Sequence, residues 1–428
     1  MRTHGEAHAG YVIITSVPAW LATLHPFQTP ESQRLAVLFA VVYFAQGMWY
    51  LPNQTMTIVF KEQFGFSAGQ VATFFSIAVI PWLLKPVYGL LSDFVPLFGY
   101  RRKSYFVLGS ALASVCAAVV VVTGGAAYWP LAVFFTLMGF GLAFTDVITD
   151  AIMVENGRRL GLTGAFQSVQ WAAIYSASML VGLLGGYLAE TRSLRLAFAF
   201  AALFPLISCA MAITFVRDAR ATRDSAAFRA TWQAIRAAGR TPTVWLIASF
   251  IFLFNFSPQF GPAFLYYQTD TLKFSQQFIG VLAAVNAVGW ILGAFLYAPL
   301  SRRVSLTKMV WVVVIVGSVG TFAYLLYRGP ASAVVIDVTF GIVAMMTQLV
   351  FLDLAARACP PRVEGTFFAL LMAVYNGAQQ GAFVVGGYLY DWVGFTRLIF
   401  ISAAATALVL LVVPFLRIRE LEATSSPA

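Results

Sequence analysis

From residue 35 to residue 416 the sequence is a succession of apolar runs, each about twenty residues or longer, divided mostly by short loops. A helix rises about 1.5 Å per residue, so about twenty apolar residues cross a hydrocarbon layer ~30 Å thick. Inside that layer water satisfies no backbone N–H or C=O, which leaves helices and closed barrels as the only spanning structures. Barrel strands would read as weakly alternating segments of roughly ten residues. The long runs therefore predict an all-α membrane protein. Composition agrees, with 60% hydrophobic residues, 10% charged residues and a mean hydropathy of +0.81, outside the range of soluble domains.

Read against loop signals, the runs give twelve expected transmembrane helices. Spans 1 to 6 cover about 35–59, 70–92, 104–123, 129–153, 163–189 and 195–216. Spans 7 to 12 cover about 243–268, 277–300, 307–327, 331–354, 364–389 and 396–416. The expected organisation is a tail at 1–34, a six-helix bundle at 35–216, a basic linker at 217–242, a second six-helix bundle at 243–416 and a tail at 417–428. With both termini on the cytoplasmic side, 20 of the 27 Lys and Arg residues fall in cytoplasmic segments and six outside, namely Lys61, Arg192, Arg195, Lys273, Arg328 and Arg397. This bias follows the positive-inside rule. The net charge of +10 thus reports orientation in a plasma (inner) membrane, with the lipid bilayer as partner and no nucleic acid.

The remaining basic residue, Lys85, lies inside span 2. An intramembrane charge costs several kcal/mol, so it must face a partner or a watery cavity. Asp146 in span 4 lies at matching depth, and Asp150 one turn further on shares its face, since i and i+4 stack on a helix. Lys85 is expected to pair with Asp146 or Asp150. The pair then either rearranges when substrate or a proton binds, or is a static tie between spans 2 and 4. Burial opposes ionisation of these carboxyls and a neighbouring ammonium favours it, which brings proton exchange within reach. Asp337 in span 10 is a second coupling candidate whose partner the sequence does not reveal. Asp353, near the cytoplasmic end of that span, is expected to act as a gate or cap.

Other polar residues interrupt the spans near mid-membrane. Span 1 carries Gln46, Trp49 and Asn53 around Pro52, and span 7 carries Asn255 and Gln259 beside Pro258, Gly261 and Pro262, which should bend or unwind it. Gln170 in span 5 and Asn376 and Gln380 in span 11 complete a candidate substrate cavity, although each alone would also serve as an interhelical hydrogen bond. Small residues at four-residue steps, Ser178, Gly182 and Gly186, then Gly289 and Gly293, and Ala378, Ala382 and Gly386, predict close helix contacts.

Several chemistries find no support. Cys116, Cys209 and Cys359 are too scattered for a metal or redox motif and read as packing residues. His4 and His8 lie in a Gly-rich tail, and the apolar patch at 11–24 is too short to span. No His-Glu-x-x-His occurs, and Ser305 to Lys308 spells Ser-x-x-Lys only within a basic loop. Neither an enzyme nor a bound cofactor is expected.

The two halves echo each other. TDVITDAIMVENGRR opens at Thr145 and TQLVFLDLAARACPPR at Thr347, 202 residues later, and each is followed by a helix ending in GGYL. This six-plus-six repeat resembles the major facilitator superfamily, in which two bundles rock about a central site. Gly89, three intervening residues, Asp93 and then Arg101-Arg102 resemble the superfamily's hinge between its second and third helices. The wider string, Pro81-Trp82, Lys85-Pro86, Ser92-Asp93, Pro96 and Gly99-Tyr100-Arg101-Arg102, is similar to the folate-biopterin transporter family. Tyr43-Phe44, Gln46-Gly47, Asp146, Asp150, Pro360, Glu364-Gly365 and Asn376 match as well, so the resemblance covers most of 35–390.

The resemblance implies a monomeric secondary transporter of folates, pterins or related small molecules, driven by protons, with Lys85, Asp146 and Asp150 among its functional residues. It also implies a gate in which Asp93 faces the start of span 11 near Glu364, and Arg101 and Arg102 pair acids such as Glu155. The chain departs from the family pattern at 48–60, a segment expected to line the cavity, so the substrate is the open question. A carrier of another amphipathic solute, such as an amino-acid derivative or tetrapyrrole-related compound, or a non-transporting sensor or assembly factor, are the alternatives.

Overall fold

A computed structural model describes residues 27–125, 127–218, 220–222, 225–301, 303–359, 364–416 and 418. The tail at 1–26, with His4, His8 and the patch at 11–24, lies outside the described residues, as does most of the tail after 416. Among the described residues the chain is helical throughout, with only isolated bridges at Leu97–Tyr100 and Tyr100–Arg220.

The first span divides into α1 (Pro30–Gly47), a 3₁₀ turn (Met48–Tyr50) and α2 (Asn53–Gln63). Thr29 and Ser32 close a capping box at the start of α1. Pro52 has no N–H to continue the ladder, and α2 restarts directly after it. The second span also divides, into α3 (Ala68–Leu83) and α4 (Lys85–Phe94). Leu84 is the joint, and Pro86 falls in the first turn of α4, where a missing N–H costs nothing. Lys85 therefore opens a half-helix in the middle of a span.

Then follow α5 (Lys103–Thr123), α6 (Tyr128–Leu160), α7 (Thr163–Thr191) and α8 (Leu194–Phe215). At 33 residues α6 is about 50 Å long, so it overshoots a hydrocarbon layer and carries Glu155 and Arg159 beyond it. The linker holds a helix that the sequence reading did not foresee, α9 (Ser225–Ala238). Its residues sort by period, with Phe228, Trp232 and Ile235 on one side and Arg229 and Arg236 on another.

The expected break in the seventh span separates α10 (Pro242–Asn255) from α11 (Gly261–Asp270). The rest comprises α12 (Gln276–Ser301), α13 (Leu306–Gly320) with a 3₁₀ continuation (Thr321–Leu326), α14 (Pro330–Ala358) and α15 (Glu364–Leu408). Among the described residues ten helices are long and apolar enough to cross a membrane, against the twelve expected. The difference arises at two places. The pieces of the seventh span are each too short to qualify, and spans 11 and 12 run together as the 45-residue α15. That helix is not continuous, because Gly394 stands at φ 76°, ψ 172°, outside helical geometry and open chiefly to glycine.

Apolar cores form within each half. Phe39, Phe106, Ile148 and Phe166 centre one in the first half, and Phe250, Val310, Phe351 and Leu371 one in the second. The halves meet where α7 packs on α12 and α3 on α15. Both seams depend on small residues. A Cβ on Gly186 would stand 2.8 Å from the Gln276 carbonyl and one on Gly182 2.7 Å from that of Gly280, so these backbones touch.

Candidate functional site

Breaks in the first and second spans bring unlike side chains to one level. Lys85, at the start of α4, forms an ion pair with Asp146 of α6, whose side chain is almost wholly buried. The same ammonium lies 4.7 Å from the centre of the Trp82 ring, a cation–π contact. One turn along α6, Asp150 accepts hydrogen bonds from the Tyr43 hydroxyl of α1 and, at 3.3 Å, from the Gln170 amide of α7. Four spans thus converge on two carboxyls and one ammonium.

Asp337 has different company. It is buried in α14 and accepts a 2.8 Å hydrogen bond from the Tyr327 hydroxyl, which accepts in turn from the Gln268 amide of α11. Asn286 of α12 donates to the Asp337 backbone carbonyl. The partner missing from the sequence reading is a phenol in the preceding loop, not a cation.

Between the halves lies a cavity of about 190 Å³. Three of the expected cavity residues line it, Trp49, Asn53 and Gln380. Trp49 stacks on Phe135 at 4.2 Å. Asn53 Oδ1 is buried without a hydrogen-bond partner. The adjacent Tyr50 also lines the cavity and lies within electrostatic reach of Lys85 and Asp146, linking the two regions. The other expected cavity residues lie elsewhere. Gln46 Oε1 is buried and unpaired outside the cavity wall, and Asn255 donates to Ile251 in its own helix. Gln259 occupies the break in the seventh span, where its N–H reaches the Ala382 carbonyl. Gln170 is taken up by Asp150, and Asn376 is half-buried.

The two ends of the molecule differ. At one, contacts join the halves: Lys61 pairs with Asp270, Gln54 donates to the Gln276 carbonyl and side chain, and Gln276 N–H donates to Glu190. Asp391 accepts from the Ala68 and Gly69 N–H groups, the unpaired donors of the α3 N-terminus. At the other end lie the expected gate residues. The buried Arg102 reaches Asp93 at 2.6 Å, Glu155 at 2.7 Å and Ser92 at 2.7 Å. Burial disfavours its charge, but Asp93 and Glu155 outweigh that and hold its pKa above the ordinary arginine value. Arg101 is exposed, and a Cβ on Gly89 would meet only Val147, at 3.9 Å. Asp353 pairs with Arg357 one turn along α14, and the side chain of Glu364 lies outside the described residues.

Sequence reasoning passed over Tyr327, Gln268, Asp391 and the Lys61–Asp270 pair, because each depends on contacts between distant segments. Tyr43 carried a signal only through the family string.

Comparison with known proteins now adds to the geometry. The BT1 family matches residues 46–418. The chain is 32% identical over 415 residues to a Synechocystis protein named folate-biopterin transporter, covering 90% of this chain and 81% of that protein. It is 26% identical over 431 residues to probable folate-biopterin transporter 4 of Arabidopsis thaliana, covering 82% and 87%. Folate transporter 2 of Plasmodium falciparum is 23% identical over 356 residues, covering 79% and 77%. Among solved structures, the nucleoside transporter NupG superposes with a TM-score of 0.69 at 13% identity, covering 90% of this chain and all of that one. A D-xylose–proton symporter gives 0.67 at 13% identity, covering 88% and 95%. At such identities the likeness is one of fold, that of the major facilitators.

Proposed function

The chain belongs to the BT1 family, whose members similar to it are named as transporters and not as enzymes, and from that premise we propose a secondary active carrier of pterin-class solutes. It moves folate, pterin or a related small amphipathic molecule by alternating access, with protons as the coupling ion. The observation that carries the reading is the cluster of Lys85, Asp146 and Asp150 beside a cavity between the halves. A buried pair of this kind is a poor stabilising device, since desolvation offsets most of its attraction. It suits a site whose partners exchange.

In this reading the contacts at the Lys61 end close the outer side, and the observed arrangement is one that faces inward. Asp93, Arg102 and Glu155 form the inner gate, and Lys85 exchanges partners as a proton reaches Asp146 or Asp150. The chain is a plasma-membrane monomer with both termini cytoplasmic and two six-helix bundles, 35–216 and 243–416, joined by the linker.

The test is uptake of labelled biopterin, folate and a panel of amphipathic solutes into proteoliposomes, with and without an imposed pH gradient. Gradient-stimulated uptake of a pteridine is expected. Absence of pteridine uptake with transport of another solute would replace the substrate and keep the carrier. Transport of nothing, including counterflow, would favour a sensor or assembly factor.

A further inference from the structure

Three arginines gather at the Arg102 end of the first half without the acids to balance them. We propose that Arg34, Arg159 and Arg217 form a headgroup site for one anionic phospholipid of the leaflet at that face, with the phosphate seated between Arg34 and Arg217. The inference rests on the membrane embedding of the chain and not on what it carries.

The cations come from three separate segments: Arg34 from α1, Arg159 from the last turn of α6, and Arg217 from just past the end of α8. Glu31 lies within electrostatic reach of all three, and Arg34 and Arg217 lie within reach of each other, so they share one patch of surface. Arg159 already holds both oxygens of Glu31, at 2.6 and 3.3 Å. Other acids at this end are taken as well, Asp93 and Glu155 by Arg102, and Asp218 by the N–H groups of Arg102 and Lys103. Among the described residues the patch therefore keeps surplus positive charge.

Two of the cations have a structural reason for their place. Arg159 and Arg217 stand at helix C-termini, where the helix dipole favours a cation. Arg34 has no such reason. It lies just past the first turn of α1, where the dipole favours an anion, and it faces a like charge in Arg217. Among the described residues it makes no hydrogen bond or ion pair, and its Nε is buried without an acceptor. The terminal amino groups of this half-buried side chain are the donors left for a ligand.

The position of the patch gives the chemistry of that ligand. A guanidinium fork matches a pair of phosphate oxygens, and headgroup phosphates lie at the level where membrane spans end. Val37, one turn deeper than Arg34 on α1, is exposed, as are Leu206 and Ile213, seven residues apart and so on one face of α8. The helices that carry Arg34 and lead to Arg217 thus offer apolar surface to acyl chains. A zwitterionic head brings an ammonium of its own, which surplus positive charge repels. The fit is to a head whose only charge is its phosphate, as in phosphatidylglycerol.

The experiment is native mass spectrometry of the purified full chain in detergent, titrated with phosphatidylglycerol or phosphatidylcholine of the same acyl chains. One phosphatidylglycerol should bind about ten-fold or more tightly than phosphatidylcholine. Arg217→Gln should weaken it about five-fold, and Arg34→Gln with Arg217→Gln roughly 30-fold, with phosphatidylcholine unchanged. Arg236→Gln with Arg240→Gln removes the same charge from elsewhere in the linker and should leave the affinity as it was. Equal affinity for the two lipids overturns the inference, and so does an equal loss in the linker control, which would mean a diffuse field in place of a site. Displacement of phosphatidylglycerol by millimolar inorganic phosphate assigns the patch to a soluble anion and overturns the lipid. If the double variant does not fold, Arg217→Gln, at an exposed position, decides. No readout uses uptake, so the carrier reading stands or falls separately.

Discussion

The ammonium of Lys85 is held between the Asp146 carboxylate and the face of Trp82, at the point where the second span breaks and restarts. Lys85→Ala leaves a buried carboxylate alone and should cost about 3–5 kcal/mol of stability, with transport abolished. The paired change Lys85→Met with Asp146→Asn removes both charges, so thermal stability should return while transport does not. Fluorescence-detected melting and proteoliposome uptake read the two quantities separately. Normal uptake in the double variant would make the pair a static tie.

Asp337 can be neutralised with its hydrogen bond kept, since an Asn side-chain oxygen still accepts from Tyr327. Asp337→Asn should therefore melt within about 1 kcal/mol of the unmodified protein. Gradient-driven uptake should fall several-fold and counterflow, which needs no net proton movement, should persist. Loss of both in equal measure would assign Asp337 a structural role.

The contacts that join the halves at the Lys61 end define what must part for that end to open. Lys61→Ala with Asp391→Ala removes one exposed ion pair and the acceptor at the α3 N-terminus, together about 1–2 kcal/mol. A cysteine placed at Ala72, which lines the cavity, in a background lacking Cys116, Cys209 and Cys359, should then react several-fold faster with an impermeant maleimide added outside. An unchanged rate would show that other contacts hold the closure.

Arg102 is buried, but both acids it binds are half exposed, so water takes over part of its role when it is removed. Arg102→Ala should cost only about 1–3 kcal/mol. Cavity labelling from outside should fall further than the stability loss accounts for, because Arg102, in the proposed inner gate, ties the end of α4 to α6 and, through its N–H, to Asp218 of the linker, and loosening that gate favours the inward-facing arrangement. Arg101→Ala, by contrast, should leave melting unchanged.

Gly186→Val tests the seam between α7 and α12. The added carbons would press on the Gln276 carbonyl and Gly280, which costs about 1–3 kcal/mol if the helices separate. Transport should drop more than protein yield, as measured by uptake per mole of reconstituted carrier.

How much of this was legible follows from which physics each feature obeys. Hydrophobic length marks a span wherever the helix is whole, as in α5 and α8. It counts poorly at Asn255 to Gly261, where a span is cut, and at Gly394, where two are joined. Depth along a helix put Lys85 level with Asp146, because rise per residue is a constant. Rotation about the axis has no such rule over long distances, so Tyr43 and Gln170 on Asp150 could not be read as partners. Asp337 and Tyr327 lie only ten residues apart, yet a loop turns between them and its geometry is set by α11, far away in sequence. Gly182 and Gly186 were readable, since four-residue spacing is itself the packing rule.

The linker helix α9 touches both halves, with the Phe228 ring 5.4 Å from that of Phe94 at the end of α4, and Ile235 packed on the second-half core. It bends 76° away from α10 and so lies across the molecule instead of along it. Fourteen residues of helix measure about 21 Å and do not stretch. In the proposed carrier a crossbar held at both ends would act as a travel stop: the separation of rocking bundles at this end would be bounded by its length, and a shorter or longer α9 would reset the width of the mouth there.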